Sequence, residues 1–143
     1  IQNVEGWSFV FVSHQPFDSY FDNTYDSEYE PVFNLFKAMK NKTEYTYTNA
    51  YHAISVNIDF SDSTNEFVCH ICGHTHKTLS HVNDNVLTIT TGCDAFYPED
   101  DPNVTRESGT VSEQLFDVYS IDTTTKTIKA CRIGAGTDRT WNY

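Results

Sequence analysis

The sequence predicts an α/β fold bordering on α+β, a β-rich mixed sheet with few helices in one domain over residues 1–143. Two short runs, WSFVFV and EFVCHIC, are apolar at both odd and even positions, as strands covered on both faces are. One segment, EPVFNLFKAMKNK, carries apolar residues at helical spacing. The order is therefore strand, helix, then mostly strands. With 38% hydrophobic and 15% aromatic side chains, 143 residues can bury a core without disulfides, and disorder is not expected.

Taken in order, WSFVFVSHQP gives a buried strand over residues 7–12 with His14 at its carboxyl end. The helix follows a polar loop. Pro31 stands in its first turn, Val32, Phe33, Leu35, Phe36 and Met39 form one stripe, and Lys37, Lys40 and Lys42 lie toward the negative pole of the helix dipole. AISVNIDF alternates as a strand, and EFVCHIC is a second near-continuous one that stops at Gly73, again with a histidine at the tip. Residues 82–85 predict a turn and NVLTITTG another strand. From 95 to 113, with Pro98 and Pro102, the pattern is a long loop. QLFDVYSIDTTTKTIKACRI then predicts a hairpin around a Thr-rich turn at 122–126.

Twenty acidic against nine basic side chains give a formal charge of -11, which opposes nucleic-acid binding and suits capture of cations. No apolar run reaches membrane-spanning length, so no membrane partner is expected. Cys69, Cys72, Cys93 and Cys131 are too few and too unevenly spread for a disulfide framework; buried thiols in a reducing, cytoplasmic compartment are expected.

Ligand sites in open α/β sheets gather at strand carboxyl ends, and here two strands each finish in a histidine, His14 and His74. Gly73 removes a side chain where a bound group needs room, and His74 and His76, two apart, would point the same way in extended chain. Neutral imidazole ligates Zn, Fe, Ni or Mn. Two metals about 3.5 to 4 Å apart can share a substrate oxygen, so neighbouring histidines can serve one ion each or share a single ion. Against this, a lone His-x-His is more often ordinary loop polarity. A rival arrangement is the zinc-module spacing Cys69-x2-Cys72-x-His74-x-His76, which requires the strand to bend because alternate positions face opposite ways. His70 is expected to be a satisfied strand histidine, Cys93 a small core residue, and His52 and His81 surface residues. Asp94 is either a site neighbour or a turn residue, and the acidic residues 99–101 fit a solvated loop better than a calcium or magnesium site.

FVFVSHQP resembles the hydrophobic strand of the calcineurin-like metallophosphoesterases that ends in a metal-binding histidine, and HICGHTH resembles that family's terminal Gly-His-x-His motif. The separation of about sixty residues is similar, and TTGCD and EQLFDVYSIDTTTKTIKACRIGAG resemble the closing strands and hairpin of bacterial and phage members. The resemblance implies an αββα sandwich with a two-metal site between its sheets, His14 and His74 on one ion and His76 on the other. Divalent Mn, Fe or Zn would be the cofactors and a phosphate mono- or diester the substrate.

The departure from the family is equally specific. Its Asp-x-His, Gly-Asp-x-x-Asp and Gly-Asn-His-Asp/Glu motifs do not occur in this sequence, and NAYH at 49–52 lacks the preceding glycine. The chain therefore resembles the carboxyl-terminal half of such an enzyme, whose amino-terminal half is its missing partner. Without a carboxylate to offset about four positive charges, no catalytic residue is assigned here and little turnover is expected of this chain alone. Such a piece would leave apolar positions around Phe9, Phe11 and Phe67 short of partners and form a homodimer. The non-enzymatic alternative is a structural zinc-binding or self-associating module.

Overall fold

The computed structural model describes residues 4–21, 28–97 and 101–143. In chain order the elements are β1 (Ser8–Ser13), α1 (Glu30–Asn41), β2 (Glu44–Asn49), β3 (Ile54–Asp59), β4 (Glu66–Cys72), β5 (Ser80–Asn83), β6 (Val86–Thr90), β7 (Leu115–Asp122), β8 (Thr127–Gly134) and β9 (Arg139–Asn142). The protein is β-rich with one α-helix among the described residues, and its main sheet is mixed. That sheet runs β1-β4-β6-β5, with β1, β4 and β6 parallel and β5 antiparallel to β6. A β2–β3 hairpin and an antiparallel β7-β8-β9 sheet complete it.

The two faces of the main sheet carry different covers, and a β-bulge in β4 sorts residues between them. Phe9 pairs with Phe67 but Val10 with Cys69, so Val68 is the extra residue. Phe67 joins the α1 cluster, while Val68 and Cys69 both enter the cluster shared with the other sheet. On the helix side, Phe33, Phe36 and Met39 of α1 are buried with Phe60, Phe67 and Val86, and Tyr45 and Ile58 of the hairpin close the edge. Phe36 is the hub of this cluster, with ring centroids 4.7 Å from Phe67 and 4.8 Å from Phe11. On the opposite side, Ile89, Leu87 and Val68 meet Ile128 and the partly buried Tyr119, Ile121 and Trp141.

Helix α1 begins and ends for local reasons. Pro31 sits in its first turn, where its missing N–H costs nothing. Lys42 takes a left-handed backbone (φ 57°) that lets the Thr43 N–H return to the Ala38 carbonyl, 3.0 Å away, and stop the helix.

Several sequence expectations are corrected. The run at 7–12 is not buried on both faces: β1 is an edge strand, and Trp7 and Val12 remain 59% and 70% exposed. The β7–β9 sheet stops short of it, leaving a groove of about 510 Å³ between Val10, Val12 and Ile71 on one wall and Tyr119 and Ile121 on the other. Phe67 is fully packed and Phe9 sits against the helix cluster, so of the three phenylalanines expected to lack partners only Phe11 is substantially exposed. The turn expected at 82–85 contracts to Asp84 and Asn85, both at positive φ, joining β5 to β6 as a two-residue hairpin. β2, β5 and β9 are strands beyond those the sequence predicts. Of the cysteines, all free, only Cys69 and Cys72 are buried; Cys93 is half-buried and Cys131 exposed. No described helix is long and apolar enough to cross a membrane.

Candidate metal site at the ends of two parallel strands

Parallel pairing of β1 with β4 puts Ser13 opposite Cys72, and therefore brings the next residues, His14 and Gly73, side by side beyond the sheet. The Gly73 N–H extends the ladder by one bond, donating to the His14 carbonyl at 3.0 Å. A Cβ added at Gly73 would lie 3.8 Å from that oxygen, an ordinary contact, so folding alone does not demand glycine there.

Beyond Gly73 the backbone turns sharply. His74 and His76 both take left-handed conformations (φ 65° and 57°), and the Thr75 N–H closes onto the Gly73 carbonyl at 2.8 Å. Left-handed non-glycine residues cost on the order of 1 kcal/mol or more and concentrate at functional sites. This geometry corrects the extended-chain expectation, under which His74 and His76 would point the same way. His74 turns toward His14, with Nδ1 3.3 Å from His14 Nε2 and the rings edge to face at 5.2 Å. His76 lies beside Tyr97, the rings nearly parallel with centroids 6.3 Å apart.

Two nitrogens each bound at about 2.0–2.1 Å to a tetrahedral ion stand about 3.3–3.4 Å apart. The His14–His74 separation matches that edge. Among the described residues no group of three or more His, Cys, Asp or Glu side chains is gathered to hold an ion. The structure thus brings His14 and His74 together, while the described ring neighbour of His76 is Tyr97.

The cysteine-based alternative is disfavoured by the same strand. Cys69 packs into the cluster between the sheets, whereas Cys72 donates to the Ile89 carbonyl at 3.7 Å and lies three residues on, on the other face. Burial pushes both thiols up to about 12, away from the thiolate a zinc module needs.

Residues that brace the histidine loop come from distant parts of the chain. Thr78 donates its N–H to Asp101 Oδ2 at 2.7 Å, and its Oγ1 accepts from Arg132 at 3.2 Å. Arg132 is itself buried against Asp117, with Nε 2.7 Å from Oδ1. Asp101 is accordingly buried, not part of a solvated loop; residues 99 and 100 of that acidic run lie outside the described residues. Asp94 proves to be a structural residue: its Oδ1 accepts the Leu115 N–H at 2.8 Å, while Arg106 gathers the carbonyls of Cys93, Asp94, Ala95 and Glu113. His81 is not a plain surface residue either. Its Nδ1 is 2.8 Å from the fully buried Asp18, and the Tyr20 ring stacks on it at 4.0 Å.

His70 is only half satisfied. Its Nε2 is 2.7 Å from Ser13 Oγ, but Nδ1 is buried with no partner among the described residues, amid Phe11, Phe17 and Phe36. Burial lowers its pKa from 6.5 to about 4. The native state therefore requires neutral imidazole, and the stability this confers is complete above pH 6.5 and lost as pH falls toward 4. Up to about 3 kcal/mol of stability should disappear across that window through this residue. Denaturant titrations of the native protein and of His70→Gln between about pH 7 and about pH 4 check this: the variant should lose less stability on acidification, and parallel losses would contradict it.

Compared with protein-family models, curated proteins and solved structures, the chain matches none, so the likeness to calcineurin-like metallophosphoesterases rests on its own histidine motifs.

Proposed function

We propose that this chain is the carboxyl-terminal part of a dimetal phosphoesterase of the calcineurin-like type, contributing histidine ligands to the hydrolysis of phosphate mono- or diesters. The observation that carries the proposal is the 3.3 Å approach of His14 Nε2 and His74 Nδ1 at the carboxyl ends of neighbouring parallel strands. In this reading both hold one divalent ion, Mn, Fe or Zn, and His76, beside Tyr97, serves the second. Bound metal would supply Lewis acidity and an activated water. The residues fit that role in part: the imidazoles are present, but no convergent carboxylate is found among the described residues. In this reading a bridging carboxylate, an asparagine ligand and a group that aids the leaving group would come from an amino-terminal half. Packing of α1 on one face of the main sheet and of β7–β9 on the other supports an αββα sandwich lacking one helical layer.

What this chain's residues do is position. The β1–β4 ladder fixes His14 against Gly73, and Thr78, held by Asp101 and Arg132, fixes the far end of the histidine loop. Purified alone with Mn or Zn, the chain should hydrolyse an aryl phosphate only at background. A longer chain carrying the carboxylate motifs should turn over and lose at least about a hundredfold on His76→Ala. Turnover by the 143-residue chain that His76→Ala abolishes would overturn the proposal.

A second reading, self-association, is favoured by one observation: β1 is an edge strand with Trp7 and Val12 exposed, and Val12 lines the inter-sheet groove. Burying each large apolar side chain contributes about 1.5–3 kcal/mol, enough in combination for a homodimer on the order of micromolar affinity. The -11 charge opposes approach, so association should strengthen with salt. Sedimentation across a salt series measures this. A monomer at every salt and protein concentration excludes it, and Val12→Lys should abolish a dimer that does form.

A further inference from the structure

We propose that the cavity between the carboxyl end of α1, the amino end of β4 and the β7–β8 turn binds a small dianionic oxyanion of the size and charge of phosphate or sulfate. Lys40, Lys42 and Lys126 line this space of about 310 Å³ together with Glu66, Ser63 and Thr64. In a chain of net charge -11 with only nine basic side chains, three ammonium groups sharing one cavity is a concentration of charge against the average. Glu66 answers one of them, pairing with Lys126 at 2.5 Å. A local excess of two positive charges remains.

The hydrogen-bond inventory points the same way. Lys40 donates to the Phe67 carbonyl at 3.1 Å and Lys42 to the Asn65 carbonyl. These bonds cap strand carbonyls near the β4 bulge, and each ammonium carries three donors, so donor capacity is left over. The Tyr143 ring is flanked by Lys40 Nζ at 5.5 Å and Lys126 Nζ at 5.6 Å, and its buried hydroxyl has no partner among the described residues. Ser63 Oγ and Thr64 Oγ1 accept from the Asn65 and Gly6 N–H groups, leaving their own protons to donate. Donors thus outnumber acceptors, and an acceptor-only ligand with several oxygens matches the deficit. Burial lowers the pKa of Lys40; Glu66 opposes this, while Lys126 and Lys42 add to it, a repulsion that a bound dianion relieves.

This cavity is separate from the histidine pair. It lies at the amino end of β4, and the candidate metal site lies beyond the carboxyl end, roughly 20 Å away along a strand of seven residues. It does not depend on the phosphoesterase reading.

Titration of the 143-residue chain with inorganic phosphate, followed by calorimetry and by amide shifts in heteronuclear NMR, tests the site. Saturable binding on the order of millimolar, with shifts centred on Lys42, Thr64 and Lys126, is expected. Lys126→Gln should weaken it about tenfold, and Glu66→Gln, which removes the competing carboxylate, should tighten it by a similar factor. The opposite signs matter, because both variants break the same Lys126–Glu66 pair and a purely structural role would move them together. Should Lys126→Gln fail to fold, the tightening in Glu66→Gln still decides. Displacement of phosphate by O-phosphoserine would assign the site to a phosphorylated molecule, and its absence to the free ion; either keeps the site. Shifts that sodium chloride reproduces at equal ionic strength, or a phosphate response unchanged in both variants, would overturn it.

Discussion

The parallel pairing of β1 with β4 is the constraint on which the candidate metal site depends. It is local in neither sequence nor energy, joining residues about sixty positions apart. Its register leaves Ser13 opposite Cys72, so His14 and Gly73 emerge together, and one further bond between them turns two strand ends into one platform. A slip by one residue would send every β1 side chain to the other face. The β4 bulge belongs to the same constraint, since it lets Phe67 serve the helix cluster while Val68 and Cys69 both serve the other sheet.

Around that ladder, charges are buried where they brace and exposed where they do not. Asp117 receives Arg132 and Arg139 in the interior, and Arg132 passes the support on to Thr78 beside the histidine loop. Removing one member of such a set leaves another charge buried without its partner, which costs more than the pair contributes when intact. Asp18 plays a similar part at the β5 edge, accepting from His81, Asn83 and the Tyr20 N–H. The exposed side of β1 has no such treatment. Trp7 and Val12 there face solvent.

Legibility in the sequence followed how local the determining contacts are. The stripe of Phe33, Phe36 and Met39 and the Pro31 start made α1 readable, and β4 was readable from its apolar run. β2 carried a signal in the alternation of Tyr45 and Tyr47 with threonines, whereas β5 and β9 are four-residue strands held by neighbours rather than by composition. The apolar run of β1 does not predict its exposure, because apolarity tells what a strand can bury, not whether a neighbour is there. The pairing of Asp117 with Arg132 could have been found once the hairpin register was known, as opposite charges directly across two strands. The contacts of Asp101 with Thr78 and of Asp18 with His81 could not, because 23 and 63 positions of chain separate them with no pattern between. Nor could the left-handed backbone of His74 and His76, which takes the loop out of the extended conformation.

The paired histidines are best tested by following imidazole nitrogens and cysteine Cβ carbons by NMR while zinc is added to the purified chain. The first equivalent should move His14 Nε2 and His74 Nδ1 together and leave His70, Cys69 and Cys72 in place. Movement of the Cys69 and Cys72 Cβ resonances to thiolate positions, or of His76 with His14 silent, would contradict a site built on the two strand ends.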